Sequence, residues 1–419
     1  MAFSRSILLA LPEEILIEIL VRLPVTSLVQ ARSICKSWYS LITDRSFIES
    51  HLKHQTSPSN NNYSPLFLFR YQLSYSDRYW RYTLRYDDES FGEYFEPELP
   101  VHIRCLRACG YCNGLVCLYG ELITAASRLG PPIYLWNPTL RRMKTLPEVP
   151  QSLDPSLGAD CSMYLAFGFD YRGNDHKVVE IICFPPNTDK NSLFVVNVYS
   201  LSTDSWRRIS VASPSCRISS TLPQIMNGAA YWIAKGDGNG ESDNSTYTIL
   251  QFDLGDEVFR EIMLPDGTQH GIPDIAVSGE SLYLFIIWEG ETYRTYQCGV
   301  WTMECSKVGT WTKRFTFSFS ENDWGSETGF RRNGEILQLH HRNSLVYYNL
   351  ESKRALRVHH KTSLASYNLE NNQAKDLGIF HASIISFLHC YVESLILLGK
   401  EDSYSTSSTE IEVHCEEEV

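Results

Sequence analysis

The chain has 419 residues, of which 43% are hydrophobic and 21% charged, with a formal net charge of −12. The length allows two to three domains at roughly 150 residues each, and the composition excludes a mainly disordered, collagen-like or coiled-coil protein. A negative surface argues against nucleic-acid binding, which needs basic groups to displace counterions from phosphates.

No uninterrupted apolar run reaches the roughly eighteen residues that a membrane span needs. The start, MAFSRSILLALPEE, becomes charged too soon for a secretion signal. The expectation is therefore a cytoplasmic and/or nuclear protein without membrane partners. Its twelve cysteines then read as reduced, mostly buried thiols. The sequons at Asn62 and Asn244 carry no weight in that setting.

Residues 1–54 have helical spacing, residues 55–64 (QTSPSNNNYS) form a polar linker, and residues 65–400 are rich in strand signals. In the head, Pro12 suits a first helical position, and Glu13 and Glu14 suit the positive end of a helix dipole. That predicts a helix from Pro12 to about Arg22, stopped by Pro24. A second helical stretch is expected from an N-cap at Thr26 or Ser27, with Leu28, Ala31, Cys35, Trp38 and Ile42 on one stripe. Asp44 then caps a short last helix carrying Phe47, Ile48 and Leu52. Leu11, Ile15, Leu16, Ile19, Leu20, Leu23, Val25, Leu28 and Val29 are more apolar surface than three short helices can hide. Either part of it faces a partner, or it packs on the β region.

The segment LPEEILIEILVRLPVTSLVQARSICKSWYSLITDRSFIESHL resembles the F-box, a three-helix module that docks on a Skp-type adaptor. The resemblance spans about residues 8–52. It rests on the ordered set Leu11-Pro12, Ile19-Leu20, Leu23-Pro24, Leu28, Cys35-Lys36-Ser37-Trp38 and Leu41-Ile42. It implies that Leu11, Pro12, Ile15, Leu16, Ile19, Leu20, Leu23, Pro24 and Leu28 supply most of the adaptor surface. Trp38 is assigned to packing.

In the β region, Gly-headed apolar strands recur: NGLVCLYG, NGAAYWIAKG, GESLYLFIIW and NGEILQLHH, with weaker members at Tyr164 and Tyr391. Their starts at 113, 164, 227, 279, 333 and 391 are 51 to 63 residues apart. Each strand is expected to lead into a hairpin with an apolar anchor: Met143, Trp206, Phe259, Trp311 or Leu356. A period near 50 made wholly of strands fits four-stranded blades, close to the kelch period, and radial packing leaves only short sheet edges. The expected fold class is thus a multidomain α+β chain, a small helical F-box followed by an all-β propeller of about six blades. Leu66 to Phe69 would complete the last blade beside Tyr391 to Leu398. A pair of β-sandwiches or an irregular barrel is the alternative.

The pieces CNGLVCL, LWNPTLRRMKTLP, FGFDYRGNDHKVV, VYSLSTDSWRRI, NGAAYWIA, ILQFDL and YVESLILL resemble the F-box-associated domain of plant F-box proteins, across most of residues 105–400. Glycine doublets and arginines of authentic kelch blades are mostly lacking. Residues 401–419 read as a flexible acidic tail.

Other candidate sites have ordinary explanations. Cys105, Cys109, Cys112 and Cys117 lack the spacing of paired zinc ligands. Neighbours in a strand point to opposite faces, so neither His340-His341 nor His359-His360 chelates one ion with both rings. Asp170, Asp175, Asp253 and Asp256, the candidates for glycoside hydrolysis, sit in turn-like sequence. No catalytic residue, metal or cofactor is expected. Target contacts are expected in loops such as Ser152 to Asp160, Pro185 to Ser192, Lys235 to Asn244 and Trp288 to Tyr293.

Together the resemblances imply a non-catalytic substrate receptor of a Skp–cullin–F-box ubiquitin ligase. The head would hold the Skp-type adaptor, and through it a cullin, while the propeller would hold an unknown target protein for ubiquitination and degradation. The alternative is a propeller carbohydrate-binding protein or glycoside hydrolase with an adaptor-binding head.

Overall fold

The computed structural model describes residues 11–57, 66–72, 80–88, 92–99, 106–120, 131–149, 161–184, 193–220, 222–236, 246–268, 271–290, 295–320, 327–330, 336–339, 345–349, 354–357, 365–368, 373–376 and 384–397. Expectations for residues 401–419 therefore lie outside it, as do the histidine doublets and Cys105. Among the described residues no helix is long and apolar enough to cross a membrane.

Among the described residues the head has four helices where the sequence suggested three: α1 (Glu13–Leu20), α2 (Val25–Ala31), α3 (Lys36–Thr43) and α4 (Arg45–Thr56). Pro12 and Pro24 hold extended backbone at the starts of α1 and α2, so Pro24, not Thr26 or Ser27, precedes the second helix. The expected continuous stretch to Ile42 breaks because the Ser33 hydroxyl donates back to the Gln30 carbonyl (2.7 Å) and Cys35 is fully extended. Asp44 caps α4 as expected, accepting from the Ser46 amide at 2.8 Å. The Ser46 hydroxyl, and after it that amide, hold its carboxyl below the usual value. At twelve residues α4 is the longest of these four helices, not a short one, and it takes Gln55 and Thr56 out of the expected linker.

Leu16, Leu20, Val25, Leu28, Ala31, Trp38, Ile42 and Phe47 make the head's core. Fully buried His51 joins it, bonding the Leu23 carbonyl at 2.9 Å through Nε2. Burial holds its pKa below the ordinary histidine value, which favours the neutral ring.

The β region begins with β1 (Leu66–Gln72), β2 (Arg81–Tyr86) and β3 (Glu93–Phe95). Next come β4 (Arg107–Cys112), β5 (Leu115–Tyr119), β6 (Ile133–Asn137) and β7 (Arg142–Thr145), then β8 (Ser162–Asp170), β9 (Asp175–Phe184), β10 (Leu193–Ser200) and β11 (Ser205–Ile209). The fourth group is β12 (Cys216–Ile218), β13 (Gln224–Met226), β14 (Ala229–Gly236), β15 (Tyr247–Asp253) and β16 (Phe259–Met263). There follow β17 (Ile272–Ser278), β18 (Ser281–Glu289), β19 (Thr295–Glu304) and β20 (Thr312–Ser320), and β21 (Glu327–Phe330), β22 (Ile336–Leu339), β23 (Leu345–Asn349) and β24 (Arg354–Arg357). A hairpin of β25 (Ala365–Asn368) and β26 (Gln373–Asp376) precedes the last strand, β27 (Ile384–Tyr391).

These strands form six antiparallel sheets of four or five strands, with β25–β26 as a separate pair. The leading strands β4, β8, β13, β17, β21 and β27 each touch the next, and β27 returns to β4, which closes a six-bladed propeller. In the fourth blade the leading strand is split into β12 and β13, both paired with β14. The first blade is closed from the two ends of the β region: β27 lies inside β1, with Leu66 opposite Tyr391 and Phe67 opposite Cys390.

The two weaker repeat members are placed differently from the sequence reading. Tyr164 lies in the leading strand β8, whereas the Gly-headed segments supply second strands β5, β14, β18 and β22. The strand partner of Leu66 to Phe69 ends at Tyr391 instead of starting there, and residues 392–395 have no strand structure.

Turn chemistry explains the hairpins. Asn113-Gly114 and Asn227-Gly228 both have positive φ at each residue, the geometry that suits a tight two-residue turn to twisted strands. Arg141, Asp204 and Glu257, also at positive φ, occupy equivalent tips between the third and fourth strands.

The predicted anchors are wedges between blades. Met143 packs with Leu68, Leu84 and Trp136 between the first and second blades, and Trp206 with Leu135 and Phe167 between the second and third. Phe259 packs on the cluster that holds Val196 and Trp232 at the next seam, with its ring against Phe194 and Phe252, and Trp311 packs on the cluster that holds Ile249 and Leu284 at the one after. Leu356 lies outside the described side chains. Two of the wedges also bond the preceding blade: the Trp206 indole donates to the Pro147 carbonyl at 2.8 Å and the Trp311 indole to Met263 at 2.9 Å. Trp206→Phe should therefore cost about 1 kcal/mol, the loss of one hydrogen bond. Trp206→Ala should cost ~3–5 kcal/mol through the cavity left at the seam. Urea unfolding midpoints of the two variants check the ratio.

Candidate functional site

The nine adaptor-surface residues expected from the head sequence separate in the structure. Leu16, Leu20 and Leu28 are buried in the head core (8%, 1% and 0% exposed) and are corrected from surface to packing residues. The physical reason is the size of the head, whose few apolar layers need these three to close. Leu11 and Leu23 are half-buried, while Pro12, Ile15, Ile19 and Pro24 are exposed. Ile15 and Ile19, one turn apart on α1, are 45% and 38% exposed. The structure adds two exposed apolar side chains the sequence reading missed, Ile34 and Tyr39, at 38% and 49%. The available signal was position: Ile34 and Tyr39 fall off the stripe of Leu28, Ala31, Cys35, Trp38 and Ile42. Trp38 is itself 6% exposed and inside the core.

The other side of the head rests on the propeller. Leu140, at the tip between β6 and β7, and Leu395, just past β27, pack into the head's core cluster. On α4, Arg45 and Glu49 pair at 2.9 Å and both grip the turn between β8 and β9. Arg45 donates to the Asn174 carbonyl, and the Asn174 amide donates to Glu49 at 2.9 Å. Of the head's apolar surplus, one part is thus covered by the β region and the Ile15–Ile19 pair is not.

The propeller's candidate carboxylates are held by turns and ion pairs. Asp170 accepts from the Arg172 and Gly173 amides, each at 2.9 Å, and pairs with Lys177 at 2.8 Å. Asp175 accepts from the Ser202 amide at 3.0 Å and from the Ser200 and Ser202 hydroxyls. Asp253 accepts from the Gly255 and Asp256 amides, and Asp256 pairs with Arg172. Cys109 and Cys117 are buried, the former donating to the latter's carbonyl at 3.5 Å. Burial pushes the Cys112 thiol up to about 12, so it is protonated at neutral pH. The loops Ser152 to Asp160 and Pro185 to Ser192 lie wholly outside the described residues, as do most of Lys235 to Asn244 and half of Trp288 to Tyr293. Of their ends, Lys235 sits over the Tyr247 ring at 5.8 Å and Trp288 meets Trp301 edge-on at 5.9 Å.

Residues 8–50 match the F-box domain family, and residues 95–398 match the F-box associated beta propeller domain. The chain belongs to that propeller family. An F-box/kelch-repeat protein of Arabidopsis thaliana is 25% identical over 373 residues, covering 82% of this chain and 89% of its own length. F-box protein CPR1 of the same plant is 26% identical over 364 residues, covering 82% and 83%. A third A. thaliana F-box protein is 28% identical over 62% of each chain, so this chain spans under two thirds of that relative. Among solved structures, YjhT is similar at a TM-score of 0.39 and 11% identity, over 67% of this chain and 95% of that one. A likeness of that size says nothing about chemistry.

Proposed function

We propose that this protein is the substrate-recognition subunit of a Skp–cullin–F-box ubiquitin ligase, acting in the cytoplasm and/or nucleus. One observation carries the reading: Ile15 and Ile19 stand exposed one turn apart on α1, with Ile34 and Tyr39 exposed as well, while Leu16, Leu20, Val25, Leu28, Trp38, Ile42 and Phe47 are used in the head's own core. Burial of two such side chains by an adaptor gives each the character of an interface anchor. The family membership of both parts of the chain supports the same reading. The work is positional. A propeller-bound target held near a charged ubiquitin carrier gains effective concentration, and bond chemistry stays on other subunits.

The test is adaptor capture by full-length protein carrying Ile15→Asp and Ile19→Asp. Affinity for a purified Skp-type adaptor should fall ~10²–10³-fold. The melting temperature should stay within a few degrees, since neither side chain is in the core. Undiminished capture by a folded double variant would remove the reading.

A further inference from the structure

Beyond Tyr391 the chain leaves its sheet and runs, as Val392–Leu397, between the head and the first two blades. Fully buried Asn137, at the end of β6, donates from Nδ2 to the carbonyls of Ser394 (3.0 Å) and Ile396 (2.9 Å). Its Oδ1 accepts from the Leu140 amide at 3.1 Å. The Tyr111 hydroxyl accepts from the Val392 amide at 2.7 Å, and the Tyr94 hydroxyl donates to Glu393 at 3.1 Å. Gly114 lies so close that a Cβ there would stand 2.3 Å from the Ser394 hydroxyl. Held in this way, the segment places Leu395, 1% exposed, into the head's core cluster.

Six residues thus touch the closing blade, the second blade and the head together. Leu395 and Leu140 form one seat, and the Asn174 turn gripped by Arg45 and Glu49 forms another. Two separated seats fix rotation as well as distance, where a polar tether alone would fix neither.

We propose that Val392–Leu397 is the joint that sets the bearing of the head on the propeller, with Leu395 and Asn137 as positioning residues for ubiquitin transfer. This rests on the ligase reading above. In a reaction run on proximity, the orientation of the propeller relative to the adaptor decides which lysines come within reach of the ubiquitin carrier. The joint acts on that choice without touching adaptor, target or reacting atoms.

The test uses the full chain with spin labels, introduced as noncanonical residues at positions 53 and 280, one on the head and one on the propeller. Wild type and Leu395→Met should give one narrow distance distribution. Leu395→Ala and Asn137→Ala should broaden it about twofold, and Glu49→Ala, at the second seat and outside both cores, should broaden it less. Adaptor affinity should remain within ~3-fold in all of them, because the Ile15–Ile19 face is untouched. In a reconstituted ligase, autoubiquitination mapped by mass spectrometry should spread to lysines unmodified in wild type, and Leu395→Met should restore the original set. Distributions as narrow as wild type in Leu395→Ala, Asn137→Ala and Glu49→Ala would overturn the joint. Failure of the wild type to capture adaptor or transfer ubiquitin would instead remove the ligase reading, and the distance measurement would still decide the joint.

Discussion

Replacing Lys177 with methionine is expected to destabilise the protein by ~3–5 kcal/mol at neutral pH, the usual cost of leaving buried charge without its partner. Lys177, on β9, reaches into the seam between the third and fourth blades. Its Nζ lies 2.8 Å from Asp170, 2.9 Å from Glu257 and 2.7 Å from the Leu254 carbonyl. The side chains of Lys177, Asp170 and Glu257 are only 11%, 6% and 14% exposed; Glu257 keeps Arg207 as a partner, so the unpaired buried charge left behind is that of Asp170.

Burial pushes the Asp170 carboxyl up, but the Gly173 amide, the Lys177 ammonium and the Arg172 amide outweigh it and leave the group below its ordinary value. Burial likewise pushes Lys177 down, and its bonds to Asp170 and Glu257 outweigh that and raise it. A carboxyl whose folded pKa is depressed gives stability that is present above its unfolded value, near 4, and lost as pH falls through the folded pKa. A lysine whose folded pKa is raised gives stability that is present below its unfolded value, near 10.5, and lost as pH rises through the folded pKa. The gap between wild type and Lys177→Met should therefore be widest between about pH 5 and 10 and shrink toward pH 3. Urea midpoints at pH 3 and pH 7 measure it. An equal gap at both would show that the effect comes from packing and not from charge.

What the sequence could reveal followed the range of the interactions. The Leu11-Pro12 and Leu23-Pro24 pairs and the Asp44 cap act within a few residues, and each marked its element. Periodicity extended that reach, because Met143, Trp206, Phe259 and Trp311 recur at one place in the blade and all become seam wedges. Features decided by distant partners were not legible. YVESLILL alternates like a strand, yet the carbonyls of Ser394 and Ile396 are taken by Asn137, more than 250 residues earlier in the chain. The same distance hid Leu395 as a core residue of the head. Within the head, nine apolar residues at helical spacing told that a surplus existed. Which ones remain outside depends on how α1 to α4 and the propeller share the core, and this is why Leu16, Leu20 and Leu28 turn inward while Ile15 and Ile19 do not.

Trp136 offers a sharper test of the seam that closes the ring. It is fully buried on β6 among Leu68, Leu84 and Met143, and its ring meets Tyr82 edge-on at 5.0 Å. Its indole N–H has no hydrogen-bond partner among the described residues, nor has the Tyr82 hydroxyl, whose pKa burial raises to about 12. Trp136→Ala should cost ~3–5 kcal/mol, because a seam clamped by blades on both sides collapses poorly onto a cavity. Trp136→Phe should cost about 1 kcal/mol or less, since the lost volume is partly offset by removing a buried donor that bonds nothing. The first blade is held by strands from opposite ends of the β region, so weakening this seam should open it before the rest. In Trp136→Ala, amide exchange should therefore speed up in β1 and β27 more than in β14 and β15. Equal unfolding midpoints for the Phe and Ala variants would mean that the indole N–H is bonded after all. Uniform acceleration of exchange would mean that the ring opens as one unit and has no weakest seam.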